Sequence, residues 1–498
     1  MTIPPQRAER QSLSVLVLLA TLIVIGLLLR AWHLGDWNFE ATEMFTLRDS
    51  LRLRTTNSRP LIYLLNYYLV RPFTPLDELG LRLLPMVFGV LTLPALYFVC
   101  RRLIGTRAAL FSTMLLTISE LHVFYSQFAR YWSLVILLCT VYPYAIYVGV
   151  RQRDPVALGI GVVTGFLAAL AHPVSVLLVG GPVIWFVATF LRPGSLRQMW
   201  ASRGFRWGAL LVTVVLAVIV VRFIPVLQSW IVMHDQNPGS GQFLTRPKSN
   251  GLKQLVYLAA FVESITVPVT LAAVGGIYVL WQGRDRFLGT YLMSLALFPI
   301  AFLTLVSTRT AVSQFYLVPA LPVFFIGAGV FLDRLFEIDW KVRPRWVLPA
   351  ILTVMIVTAG AHTLISYHRN GRRFDFRSAA RWIDPRLGTG DAVFSDQPMV
   401  LAHYLPQTPV QKLRSLEPLA QSLDSLYRAP EQAALWIVAP APAHAFRPDL
   451  KQGGLARWMW DNCQLRQTVG VGRIDFRQQY LQVYRCPAQP PEKERGAG

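Results

Sequence analysis

Charge-free apolar runs recur along this sequence as far as residue 367, and they leave little choice of fold. A segment that crosses a bilayer needs about 20 apolar residues. In lipid its backbone must also pair internally, which for such a segment means a helix. Residues 11–29, QSLSVLVLLATLIVIGLLL, meet that length, and further runs cover 83–100, 108–119, 131–150, 155–191, 207–221, 264–283, 287–308, 310–332 and 346–367. The first run is too long for the apolar region of a cleaved signal, so it reads as an anchor that stays. The run at 108 extends through Phe124 with Glu120 near an interface. The run at 155 is too long for one span and breaks at Ala171-His172-Pro173 into a helical hairpin. The expected fold is an α-helical polytopic membrane protein of eleven spans.

Composition agrees with this. Charged residues make up 15% of the chain, where a soluble one carries about 25%. The net charge of +21 is almost all arginine. With the N-terminus in the cytoplasm, the inside connections hold seventeen basic residues against six acidic, among them Arg101, Arg102, Arg107, Arg192, Arg197 and Arg203. That bias satisfies the positive-inside rule. It assigns the arginines to cytoplasmic loops and membrane lipids, and an odd number of spans puts the tail outside. No interleaved basic and aromatic surface suggests nucleic acid. There is no Walker loop, no dinucleotide glycine pattern and no Cys/His metal spacing; a divalent cation on a bound phosphate stays open.

From about residue 367 the pattern changes. Turn signals (LGTGD, SDQP, APAPA) separate β-like runs (DAVFSD, ALWIVAP, QYLQVYRC) from helical ones such as FRSAARWI and PDLKQGGLARWMWDN. The expectation is a transmembrane domain over 1–366 and a small α/β domain over 367–498. Cys100 and Cys139 lie in apolar runs and read as packing residues. Cys463 and Cys486 lie in the tail, and in an oxidising compartment they either bridge or stay as free thiols.

The first outer loop, 34–80, carries the chemistry. WNFEATEMFTL places Glu40 and Glu43 three residues apart just beyond the first span, and Arg48, Arg52, Arg54 and Arg59 follow with only Asp49 against them. A basic cluster on the sparse outer side points to a held anion. Guanidinium forks suit phosphate because their donors match two oxygens at once.

These residues also carry a resemblance. TEMFTL is similar to the Asp-Glu-Ala-(aromatic)-Thr signature of the protein O-mannosyltransferase and aminoarabinose (lipid A) transferase family, polytopic C-type glycosyltransferases that use polyprenyl-phosphate sugars. SRPLIYLL resembles that family's His-Pro-Pro-Leu-Tyr-Tyr segment, with Tyr63 on its aromatic position. The run from ELGLRLLP to SQFARYWSLVILL resembles spans two to four, including Ser126, Gln127, Arg130 and Tyr131 of the Ser-Gln-x-x-Arg-(aromatic) element. His172 resembles a Thr-His-(aromatic) position, and SQFYLVPALP, with Tyr316, resembles a late Arg-Tyr-Leu-x-P-x-x-P helix. The match covers most of 15–335. Three positions depart from it: Thr42 stands where the family has its Asp, Ser58-Arg59 replaces His-Pro, and Phe315 takes the late Arg's place, with Arg309 upstream.

The resemblance implies an enzyme in a bacterial-type plasma (inner) membrane. It would move a sugar from a polyprenyl phosphate to an extracytoplasmic glycan, lipid or protein by inverting displacement. Arg59, Arg130 and His122 would hold the donor phosphate, and Tyr63, Gln127, Tyr131, His172, Arg309 and Tyr316 would line the substrate. The family's base is the missing Asp, so either Glu43 or Glu40 takes that role, or activity is lost. Packing remains the other reading of His122, and a helix cap that of His172. Glu263 is either functional in an apolar context or ordinary in a juxtamembrane helix. A transporter or flippase of a lipid-linked substrate is the alternative class, though no matching halves or midplane charge pairs support it.

Overall fold

In a computed structural model of the chain, the residues described are 12–53, 59–190, 206, 255–308, 312–338, 344, 346–370, 373–413, 434–440, 459, 462–470 and 480–487. The expected span at 207–221 and Arg309 lie outside them. The chain divides into two compact units. One comprises Met1–Leu34 and Ser50–Leu364, the other Gly35–Asp49 and Ile365–Gly498. The opening of the first outer loop therefore groups with the tail, whereas the sequence reading attached it to the transmembrane domain.

The helices begin with α1 (Leu13–Ala31), α2 (Ala41–Leu51), α3 (Pro60–Leu65), α4 (Gly80–Ile104), α5 (Thr106–Thr117) and α6 (Glu120–Ser126). They continue with α7 (Trp132–Gln152), α8 (Pro155–Ala171), α9 (Leu177–Phe190), α10 (Val256–Ile265), α11 (Val267–Val279) and α12 (Arg286–Ser307). The last four are α13 (Leu321–Leu335), α14 (Val347–Asn370), α15 (Phe376–Ile383) and α16 (Pro398–Tyr404).

Among the described residues six helices are long and apolar enough to cross a membrane: α1, α4, α7, α12, the stretch Gln314–Leu335 ending in α13, and Val347–Arg369 of α14. Two bent pairs raise the number to eight if each is one span. The eleven spans read from charge-free runs are thus more than the described helices supply. Part of the difference is physical. The run 155–191 lacks charge throughout, but His172 and Pro173 divide it into helices of 17 and 14 residues, each short of a full crossing.

Burial sorts the helices. The apolar windows of α7 and of Gln314–Leu335 are 72% and 83% buried, against 22% for α1 and for Val347–Arg369. The first two form the centre of the helical unit, and the other two present apolar side chains outward, as lipid-facing helices do. The central contacts rely on small residues. A Cβ on Gly276 of α11 would overlap the Gly327 carbonyl of α13, and one on Gly329 would meet Ser112 and the Ala108 carbonyl of α5. Small residues let backbones approach where lipid gives no hydrophobic drive for association.

The helices break at definite residues. α5 and α6 meet at 62°, and Ser119 in the break accepts the His122 N–H at 3.4 Å. α10 and the helix after it meet at 95°, across Thr266 at φ 74°.

The smaller unit holds a five-stranded mixed sheet. Its strands are β1 (Ala392–Ser395), β2 (Val410–Lys412), β3 (Ala434–Pro440), β4 (Gln464–Gly470) and β5 (Tyr480–Pro487), in the order β2-β1-β3-β5-β4. β1 is parallel to β2 and β3, and β5 is antiparallel to β3 and β4. All seven residues of β3 are buried, the continuous apolar run of a central strand covered on both faces. Asp391 fixes the entry to β1 and β3 together, accepting from the Ala434 N–H at 2.7 Å and from Trp436 Nε1 at 2.8 Å. A disulfide joins Cys463, just before β4, to Cys486 in β5.

Gly327→Val is expected to destabilise the helical unit by about 1–3 kcal/mol, the usual result of forcing methyl groups into a full core. Thermal unfolding of the detergent-solubilised protein, compared with a control such as Gly159→Val, where an added Cβ meets nothing within 4 Å, measures it.

Candidate active site

In the smaller unit, α2 starts just after Glu40, whose carbonyl accepts from the Glu43 N–H at 2.9 Å. Glu43, the third helical residue, folds back so that Oε2 accepts from the Glu40 N–H at 3.0 Å. This is the carboxylate half of a capping box, which satisfies an open donor at the helix start. The same oxygen accepts from Arg373 Nη1 at 2.8 Å, and the two side chains are 0% and 2% exposed. Arg373 Nη1 also donates to the Asn38 carbonyl at 3.2 Å. Around this pair the segment is tied down further. Asn38 Nδ2 donates to the Phe374 carbonyl at 2.7 Å, the Phe39 N–H donates to Tyr404 Oη at 2.8 Å, and Arg377 Nη1 reaches the Asp36 carbonyl at 3.3 Å. Glu40 itself is half-buried. The two acids are thus linked through a backbone N–H, and their environments differ.

In the helical unit, a second group forms around Tyr131, which precedes α7. Arg59 Nη1 donates to Tyr131 Oη at 2.8 Å, and Arg130 Nη2 donates to the same oxygen at 3.3 Å. Both guanidinium carbons also lie over the Tyr131 ring, at 5.0 and 4.7 Å from its centroid. Pro60 at the first position of α3 helps set Arg59 at the helix entry. The other face of the group is His172, whose ring lies 4.5 Å from that of Tyr131 and 5.0 Å from that of Trp132. Its Nδ1 accepts the Val174 N–H at 3.0 Å, which places the proton on Nε2, and Nε2 is buried with no hydrogen-bond partner among the described residues. His172 caps a turn and belongs to this group as well. Tyr316 lies within electrostatic reach of Tyr131 and Arg59.

Other expected site residues sit elsewhere. His122 is buried on Arg30, with Nη2 2.6 Å from Nδ1. Arginine only donates, so Nδ1 accepts. Arg30 also reaches the carbonyls of Gly26 at 2.9 Å and of Leu116 and Thr117, each at 3.3 Å. The last two are at the end of α5, where carbonyls are open and a cation is favourable. Gln127 Nε2 donates to the Arg30 and Trp32 carbonyls at 3.1 and 2.6 Å, closing the end of α1. His122 and Gln127 thus take part in a buried joint between α1, α5 and α6. Tyr63 is 2% exposed within α3. Glu263 lies in α10, next to the sharp bend. Among the described residues no group of three or more His, Cys, Asp or Glu side chains is placed to hold a metal ion.

Sequence reasoning missed Arg373, Arg30 and Trp132. No local pattern marks Arg373, whose partner Glu43 lies 330 residues earlier.

The fold that carries these groups is that of the polytopic C-type glycosyltransferases. Three solved structures of two proteins show the likeness. ArnT from Cupriavidus metallidurans superposes in its apo state with a TM-score of 0.57 and 14% identity, over 95% of this chain and 97% of that one. The archaeal oligosaccharyltransferase AglB from Archaeoglobus fulgidus, in complex with an inhibitory peptide and a dolichol-phosphate, gives 0.56 and 11%, over 90% and 71%. ArnT has also been solved bound to undecaprenyl phosphate, and that structure matches at 0.56 and 15%. No protein-family model and no curated protein matches the sequence.

Burial holds the His172 imidazole well below its ordinary pKa, and the charges of Arg59 and Arg130 add to the effect. The folded protein keeps His172 neutral, while the unfolded chain takes up a proton near pH 6.5. The unfolded state then binds more protons, so this contribution to stability is present above about pH 6.5 and falls below it, by up to about 1.4 kcal/mol per pH unit. Unfolding midpoints measured from pH 8 to pH 5 should drop less steeply in His172→Gln than in the wild type.

Proposed function

We propose that this protein is an integral-membrane transferase. It moves a sugar from a polyprenyl-phosphate donor to an extracytoplasmic acceptor, with inversion at the anomeric carbon. The observation that carries the reading is the convergence of Arg59 and Arg130 on one phenol oxygen beside the buried Nε2–H of His172. Two guanidinium groups that converge on one oxygen repel each other, and an anion between them lowers that energy. The fold supports the same reading, since ArnT has been captured with undecaprenyl phosphate and AglB with a dolichol-phosphate.

In this mechanism the acceptor oxygen attacks the anomeric carbon, a C–O bond forms on one face, and the bond to the phosphate oxygen breaks on the other. The electron pair leaves with the phosphate, and the acceptor proton passes to a carboxylate of the first loop. Charge grows on the phosphate in the transition state, and preorganised guanidinium groups stabilise it there more than in the ground state. The leaving group is already a phosphate anion, so no acid is needed for its departure. Glu43 or Glu40 takes the proton. Membrane orientation follows the arginine bias, with the N-terminus cytoplasmic, the smaller unit outside the plasma (inner) membrane, and the Cys463–Cys486 bond suited to an oxidising compartment.

Undecaprenyl phosphate binding to the purified protein is the direct test. Arg59→Gln and Arg130→Gln should each weaken it by about 10- to 100-fold, the worth of a charge-assisted hydrogen bond. A wild type that neither binds undecaprenyl phosphate nor reacts with any radiolabelled polyprenyl-phosphate sugar would remove the reading. For transfer itself, Glu43→Gln should cost at least about 100-fold. Normal transfer by Glu43→Gln with loss in Glu40→Gln would move the base to Glu40 and leave the reaction class intact.

A further inference from the structure

We infer that Arg373 is the positioning residue for the first-loop carboxylates, so that the acceptor side of the reaction is set by the segment that follows α14. The inference rests on the transferase reading for its chemistry and on the geometry of the smaller unit for its structure. One Glu43 oxygen takes both the Arg373 guanidinium and the Glu40 N–H, so the guanidinium fixes the start of α2 and with it the backbone that carries Glu40. Residues 36–39 are also tied to the tail at Phe374, Tyr404 and Arg377. Of the two arginines, Arg377 donates to the Asp36 carbonyl, and Arg373 donates to the Glu43 carboxylate.

The pair is fully buried, which makes the consequence of breaking it specific. A carboxylate left in such a place without its cation is costly, and the loop must move or the acid must take up a proton. Either outcome spoils the same reaction step that loss of Glu43 spoils. Donor binding, which the reading assigns to Arg59 and Arg130, is untouched.

The test uses the full-length protein in nanodiscs as the wild type, Arg373→Gln, Glu43→Gln, the double variant and Arg373→Lys. Transfer from radiolabelled undecaprenyl-phosphate sugars should fall about 100-fold in Arg373→Gln, the usual result of misplacing a reacting group. The loss should lie in kcat, with undecaprenyl phosphate affinity within about twofold of the wild type, because only the acceptor side is disturbed. The double variant should transfer no less than the poorer single one, since residues acting as one unit are not additive. Arg373→Lys, which keeps the charge, should recover about tenfold. Transfer by Arg373→Gln near the wild-type rate, or a double variant that loses the product of the two single losses, would overturn the assignment.

A second arm needs no substrate. Trypsin should cut at Arg48 and Arg52 faster in Arg373→Gln and in Glu43→Gln than in the wild type, with Arg373→Lys close to the wild type. Equal cutting in all four would overturn the positioning role. Absence of undecaprenyl phosphate binding in the wild type would count against the transferase reading alone, and the trypsin result would then decide the inference.

Discussion

A backbone amide or carbonyl left open in lipid has no water to turn to, and the helical unit is arranged around that constraint. At two breaks between helices a side chain takes up open backbone groups. At the α5–α6 break Ser119 takes the His122 N–H, and Arg30 reaches over from α1 to the last carbonyls of α5. Between α8 and α9 the repair is His172, which accepts the Val174 N–H. His122, Gln127 and His172, singled out from sequence, thus have structural duties at helix ends.

The two candidate groups divide the electrostatic work. The Tyr131 group is cationic, aromatic and built from helix starts. In it two guanidinium groups converge on one phenol oxygen. The Glu43 group is a closed ion pair in which one carboxylate oxygen serves a helix cap and a guanidinium at once. Placing the acid in such a pair costs desolvation, which the cation and the cap N–H offset.

Much of this was legible in the sequence, for identifiable reasons. The apolar runs gave the helices because lipid enforces a single solution for a spanning segment. ALWIVAP coincides with β3 and FRSAARWI with α15, since a fully buried strand and a two-faced helix each write their period plainly. The edge strands β2 and β4 were missed, being short or exposed and without a clear alternation. Arg59, Arg130, Tyr131 and His172 could be named together because the stretches that carry them resemble motifs of one family. Glu43 was visible, but its partner Arg373 lies far along the chain, and no local pattern reports a pair of that kind. His122 was assigned to the phosphate for its place in a motif, whereas its burial beside Arg30 depends on how α1, α5 and α6 meet.

The separation of Glu43 from Arg373, 330 residues, sets an order of events during synthesis. The first loop emerges early, and the cation that closes its helix cap is made only after the last long helix. At ordinary rates of elongation that interval is roughly 15–70 s. Throughout it the acidic turn stands open, while the membrane part of the chain is already being built. The smaller unit is thus completed last, by a segment that reaches back to the beginning of the polypeptide.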